Sequence, residues 1–168
     1  CEYVVMPETS LLPLPAGMTE EEAVLSEPLA IGVYAVKQSG DVRDKTIGVL
    51  GTGPIGLSVI VPARAWGVSK IYATDKLDER LAIARKLGAD WTGNPCASDV
   101  AADINAAEAL QLDIVYECCG EQDALDNAID VLKPGGTLML IGIPEVDRVS
   151  FQIDKMRRKE IRIINVRR

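Results

Sequence analysis

The sequence predicts an α/β fold built on a doubly wound, six-stranded parallel sheet. Three observations lead there. From Lys45 onward, short apolar runs alternate with stretches of helical period, the rhythm of right-handed βαβ units. The first run, Ile47–Leu50, passes directly into Gly51-Thr52-Gly53-Pro54-Ile55-Gly56. The second run ends on an acid, Asp75, 19 residues after Gly56.

Taken in order, Cys1–Val5 reads as a short strand, followed by a loop punctuated by Pro7, Pro13 and Pro15. Thr19-Glu20-Glu21-Glu22 has the spacing of a capping box and predicts a helix start. A second helix is expected from Pro28 to Gln38, with Pro28 in its first turn. Residues 1–40 therefore form a leading segment, and residues 41–168 the parallel-sheet domain. Within that domain Ile47–Leu50 is a buried strand and Pro54–Trp66 a helix. Pro62 interrupts its hydrogen bonding at a cost of about 3 kcal/mol, so a kink is expected. Lys70–Thr74 is a strand. Asp78–Leu87 is a helix with acids at its positive end and Gly88 just beyond it. Trp91 marks a short strand, residues 97–111 are weakly patterned helix, and Asp113–Glu117 is a strand. Ala124, Leu125, Ala128, Ile129 and Leu132 form one apolar stripe, which Lys133-Pro134-Gly135-Gly136 ends. Thr137–Ile141 and Ile161–Asn165 complete the strands.

Composition limits the function classes. Apolar residues make up 48% and charged residues 26%, as in globular domains. A net charge of -7 disfavours nucleic acid, because such a chain gains nothing from releasing phosphate counterions. The basic clusters Arg157–Lys159 and Arg167–Arg168 are too short to reverse this. The apolar stretch Gly48–Val68 contains five glycines, two prolines and Arg64, so it suits strand, turn and helix rather than a membrane span. The four cysteines match neither a zinc ribbon nor a disulfide framework and are expected to be reduced thiols in the cytoplasm. Histidine is absent, which removes the commonest general base and metal ligand.

The glycine motif carries the chemistry. Gly51 permits a tight turn, Gly53 lets a pyrophosphate approach the backbone, and Gly56 lets the helix pack on the strand. The helix opens at Pro54, which has no N–H of its own, and from Ile55 onward its N-terminus offers free N–H groups to the anion. Asp75 stands where an acid accepts the adenosine ribose hydroxyls, giving a Rossmann-type dinucleotide site. Its charge would repel a 2′-phosphate, which favours NAD over NADP. Lys76 and Arg80 are the cations that could oppose that preference. Methyltransferases, which share a glycine loop and a second-strand acid, are the confounding class.

At this point the sequence resembles the zinc-type medium-chain dehydrogenases. The resemblance rests on Gly51–Leu57, Asp75 with Arg80, Glu117-Cys118-Cys119-Gly120, Lys133-Pro134-Gly135-Gly136 and Ile141-Gly142-Ile143-Pro144, in that order. Ser26-Glu27-Pro28-Leu29-Ala30-Ile31-Gly32 and Asn165-Val166-Arg167-Arg168 are similar to the sorbitol/xylitol dehydrogenase branch in particular. The resemblance implies hydride transfer from a secondary alcohol of a polyol to NAD. It implies that Ile55 contacts the pyrophosphate, Asp75 the ribose and Arg80 the adenine side. Cys118, Cys119, Ile141, Gly142, Ile143, Asn165, Val166 and Arg167 would flank the nicotinamide end. Glu27 would face a catalytic zinc, directly or through water, and Arg167 and Arg168 would lie near the polyol hydroxyls. The remaining zinc ligands belong in that family to a GroES-like catalytic domain. Without histidine or an initiator Met, this chain is expected to be part of a longer enzyme, to hold no zinc itself and to be inactive alone. A homodimer or homotetramer joined through the last strand is also implied. The other functions considered are a non-catalytic NAD(H)-binding or redox-sensing module, and a threonine, butanediol or sugar dehydrogenase of the same family.

Overall fold

The computed structural model describes residues 2–167. Six parallel strands form one sheet: β1 (Thr46–Leu50), β2 (Lys70–Thr74), β3 (Trp91–Gly93), β4 (Leu112–Glu117), β5 (Leu132–Leu140) and β6 (Arg162–Asn165). Their order is β3-β2-β1-β4-β5-β6. The predicted doubly wound sheet is thus present, and the chain reverses its winding direction between β1 and β4. Alternate strand residues fill two cores. Ile47, Val49, Ile71 and Tyr116 face one, with Val36 and Ile60; Leu50, Tyr72, Val115 and Leu138 face the other, with Ile104 and Leu125. Burial on both faces is why these strands show no clean polar alternation.

The helices are α1 (Glu20–Val24), α2 (Ser26–Gln38), α3 (Pro54–Ala65), α4 (Asp78–Leu87), α5 (Val100–Ala107), α6 (Gln122–Val131) and α7 (Ile153–Lys159). The capping box forms at α1. The Glu22 N–H donates to the Thr19 hydroxyl at 3.1 Å, and the Thr19 N–H donates to the Glu22 carboxylate at 3.0 Å. Helix α2 starts two residues before Pro28, which is tolerated because first-turn N–H groups have no intrahelical partner. Helix α7 went unread because Ile153–Lys159 is mostly charged and buries no residue fully. Its value lies in Lys159, whose ammonium donates to the carbonyls of Ile129 (2.9 Å), Asp130 (3.0 Å) and Leu132 (2.6 Å). The first two carbonyls lie in the last turn of α6, where intrahelical donors run out, and the third just past its end.

One element departs from the expected strands. Residues 2–7 form no strand, and Tyr3, Val4 and Val5 are exposed. A short apolar run does not by itself make a strand, which needs strand pairing, and residues 2–7 take no place in the sheet's strand order. Cys1 lies outside the described residues. At the other junction, Lys133–Gly136 ends α6 as expected but is also drawn into β5. Leu132 pairs with Leu112, and after a register shift Thr137 pairs with Ile114.

Helix α3 continues through Pro62 from Pro54 to Ala65. The Ser58 carbonyl that Pro62 cannot bond is approached by Gly32 of α2, where any Cβ would collide with that oxygen. Two further features fix the direction of α2. Its C-terminal turn bonds to β4, with the Ser39 and Tyr116 hydroxyls 2.6 Å apart, and Gly40–Asp44 face Ala65–Gly67 in one surface cleft. Helices α2 and α3 therefore run side by side in the same direction. Gly32→Ala should lower unfolding free energy by about 1–3 kcal/mol by overpacking this contact. Urea denaturation of the variant beside wild type checks it, and unchanged stability would refute the close approach.

Candidate cofactor-binding site

The site begins where β1 runs out. Gly51 has φ 90°, and its N–H donates to the Thr74 carbonyl at 2.8 Å, so the turn is pinned to the end of β2. A side chain at Gly51 would come within 2.9 Å of the Cys119 Cβ, and one at Gly56 would strike the Gly51 carbonyl. At Gly53 an added Cβ would meet only the Arg80 Nη1, at 3.7 Å. The three glycines thus have the three roles their spacing predicts: a turn, open backbone, and close helix packing. Open backbone at Gly53 adjoins the first turn of α3, whose N–H groups have no intrahelical acceptors, so the two together could cradle a phosphate.

Asp75 sits beside this loop and is only 8% exposed. Its Oδ2 accepts the Thr52 N–H at 2.7 Å, and its Oδ1 accepts the Leu77 N–H at 3.0 Å. The Arg80 guanidinium approaches Oδ2 at 3.7 Å. Both oxygens keep a further lone pair, enough for two hydroxyl donors. Thr52 and Leu77 were not anticipated, since they act only through their main chain.

A cleft of about 580 Å³ opens in front of this carboxylate. Its lining includes Gly51, Asp75, Lys76, Leu77, Arg80 and Cys119. Lys76 does not stand free: its ammonium is paired with the Glu121 carboxylate from the far wall, and that bond raises the Lys76 pKa. The rim is fixed by Asn94, whose amide donates to the Lys76 carbonyl (3.1 Å) and to Asp78 (2.9 Å) and accepts the Cys96 N–H (2.9 Å). Sequence reasoning singled out neither Glu121 nor Asn94. No local pattern marks a residue whose partner lies 45 positions away.

The second wall comes from the ends of β4 and β5. Glu117 is 2% exposed, and its Oε1 accepts the N–H groups of Cys119 (2.8 Å) and Gly120 (2.6 Å). Its main-chain carbonyl accepts those of Ile141 (3.0 Å) and Gly142 (2.9 Å). A Cβ at Gly142 would lie 2.6 Å from the Glu117 Oε2, so the two loops meet over this acid. The adjacent cysteines point apart, as expected of a strand end. Cys118 packs against the core, and Cys119 lines the cleft. Burial and the neighbouring Glu117 push the Cys119 thiol up to about 12, so it is a protonated surface at neutral pH rather than a nucleophile. Ile143 is 88% exposed at the same end.

The other anticipated residues are spread along this edge. Val166 is buried, its N–H bonded to the Leu140 carbonyl at 2.8 Å, while Asn165 and Arg167 are exposed. Arg168 lies outside the described residues. Glu27 is exposed in the first turn of α2. Because α2 and α3 run together, it lies at the cleft end of the sheet.

With this geometry in place, comparison with known proteins is decisive. Residues 54–168 match the model of the zinc-binding dehydrogenases. This chain belongs to that family. It is 34% identical over 166 residues to the sorbitol dehydrogenase of Gallus gallus, covering 96% of this chain and 47% of that protein. Galactitol-1-phosphate dehydrogenase of Escherichia coli superposes with a TM-score of 0.88 at 27% identity, covering 99% of this chain and 49% of that one. A structure from Sinorhizobium meliloti 1021 solved with NADP bound superposes with a TM-score of 0.80 at 26% identity, covering 90% and 46%. The chain spans about half the length of the relatives it matches. Among the described residues no group of three or more His, Cys, Asp or Glu side chains is placed to hold a metal ion.

Removing Glu117 should unfasten the second wall. Glu117→Ala is expected to cost about 2 kcal/mol or more, since two inward N–H groups lose their acceptor. Glu117→Gln should cost much less, because an amide oxygen can still accept both. Equal losses in urea unfolding would show that the carboxylate fills space and does not organise the loop.

Proposed function

We propose that this chain is the NAD(H)-binding part of a polyol dehydrogenase that oxidises a secondary alcohol of a sorbitol- or xylitol-like substrate. The observation that carries the reading is Asp75, held by Thr52 and Leu77 so that its outer lone pairs face the cleft. Similarity to sorbitol dehydrogenases supports the polyol class. The cofactor supplies the hydride acceptor. The chain's own work is binding and orientation: Gly53 and the start of α3 at the pyrophosphate, Asp75 at the ribose, and the Cys119 and Ile141–Ile143 walls at the nicotinamide end. The acid favours NAD over NADP, because a phosphate dianion against it would be repelled. Glu27 and Arg167 are the residues of this chain assigned to the substrate end, and any metal there takes its other ligands from polypeptide outside these residues.

Titration with NADH, followed by cofactor fluorescence, should saturate, with weaker NADPH binding. Asp75→Ala should weaken NADH roughly ten- to a hundred-fold, the worth of hydrogen bonds to a charged acceptor. Failure of wild type to bind NADH would sink the reading, and S-adenosylmethionine would then be the ligand to test.

We further assign β6 as a subunit edge. It is the edge strand of the sheet and carries Ile163 and Ile164, and among the described residues no strand pairs with its outer row of main-chain groups. Light scattering should show a homodimer or a homotetramer, and a monomer at high concentration would count against it. Three described cysteines are free thiols, and no helix of the described residues is long and apolar enough to cross a membrane. The free thiols fit the proposed cytoplasmic placement.

A further inference from the structure

We propose that Glu121 selects the cofactor by holding Lys76 away from a 2′-phosphate. The inference rests on the dinucleotide reading of the cleft and adds a residue and a means to it. The cleft around Asp75 has two cations within its lining, Lys76 and Arg80. Lys76 directly follows Asp75, so a phosphate replacing the ribose 2′-hydroxyl would fall within reach of its flexible side chain. That ammonium would be the natural counterion, with three N–H donors to give.

Each cation is already committed. Arg80 leans on Asp75 at 3.7 Å. Lys76 is bonded across the cleft to Glu121, and both ends of that pair are half exposed. The two acids and two bases cancel, so the cleft offers a phosphate dianion no net positive charge. Asp78 and Asp123 add further negative charge close by: Asp78 through the Asn94 amide and Asp123 in the cleft lining. Using Lys76 for phosphate means breaking its pair with Glu121 and leaving that carboxylate facing a dianion. NAD, with a neutral ribose hydroxyl, requires neither. Discrimination therefore comes from what is set against the wrong cofactor as much as from contacts to the right one.

Glu121 stands at the N-cap of α6, where its side chain makes no cap hydrogen bond. Its bond to Lys76 is thus not explained by helix capping. The pair also joins the loop after β2 to the loop after β4, and so spans the two walls of the cleft.

The test measures NADH and NADPH dissociation constants for the full chain, for Glu121→Gln, for Lys76→Met and for the double variant. Thermal melts confirm that each is folded. In Glu121→Gln the preference for NADH over NADPH should fall about five-fold, the size of one released surface ion pair. In the Lys76→Met background the same substitution should shift the preference by less than half as much. An unchanged preference in Glu121→Gln, with wild type binding NADH, overturns the selector role alone. An equal shift in both backgrounds shows plain repulsion and overturns the capture of Lys76. Wild type that binds no NADH overturns the dinucleotide reading, and the selector with it.

Discussion

The hydrogen bond from the Thr52 N–H to Asp75 is the contact on which the site depends. Leu50 and Thr74 are paired in register, so Gly51 and Asp75 leave the sheet side by side. A carboxylate there is 8% exposed and needs donors to offset its lost hydration. The glycine loop and the start of α4 supply them through Thr52 and Leu77. One acid thereby fixes the glycine loop and orients the chain entering α4, with lone pairs left over on the cleft side. Arg80, one turn into α4, is carried to the same spot.

A second carboxylate repeats the device at the next strand end with a different result. Glu117 pairs with Leu50 from the other side, and its side chain likewise accepts main-chain N–H groups of the loop that follows. It is more deeply buried, and the loops after β4 and β5 close over it. So one acid presents oxygen to the cleft, and the other is spent inside the wall. The cleft lies between them because β1 has β2 on one side and β4 on the other, the point at which the winding reverses.

Charge follows the same division. The chain carries a net -7, yet the cleft beside Asp75 pairs both of its cations, Lys76 and Arg80, with an acid. On the proposed reading, such local neutrality bears on cofactor choice more directly than the overall charge does. Exposed ion pairs contribute little to stability. Their weight here lies in what they make unavailable.

Much of this was legible in the chain. The glycine spacing, Asp75 and the alternation of strands and helices fixed the fold class, because turn geometry, close packing and two-sided burial each demand particular residues at particular intervals. The capping box at Thr19 and the stop at Gly88 were legible for the same reason: their partners are three or four residues away. Residues 2–7 and helix α7 were not. A strand needs a neighbour from elsewhere in the chain, and α7 is held by Lys159 reaching the end of α6 rather than by an apolar stripe. The Asn94–Asp78 bond and the Lys76–Glu121 pair were equally hidden. The sequence by itself determined what lies within one turn or one strand of its partner. Only the tertiary structure decided which distant charges meet, because that depends on strand order and on which loops the sheet brings together.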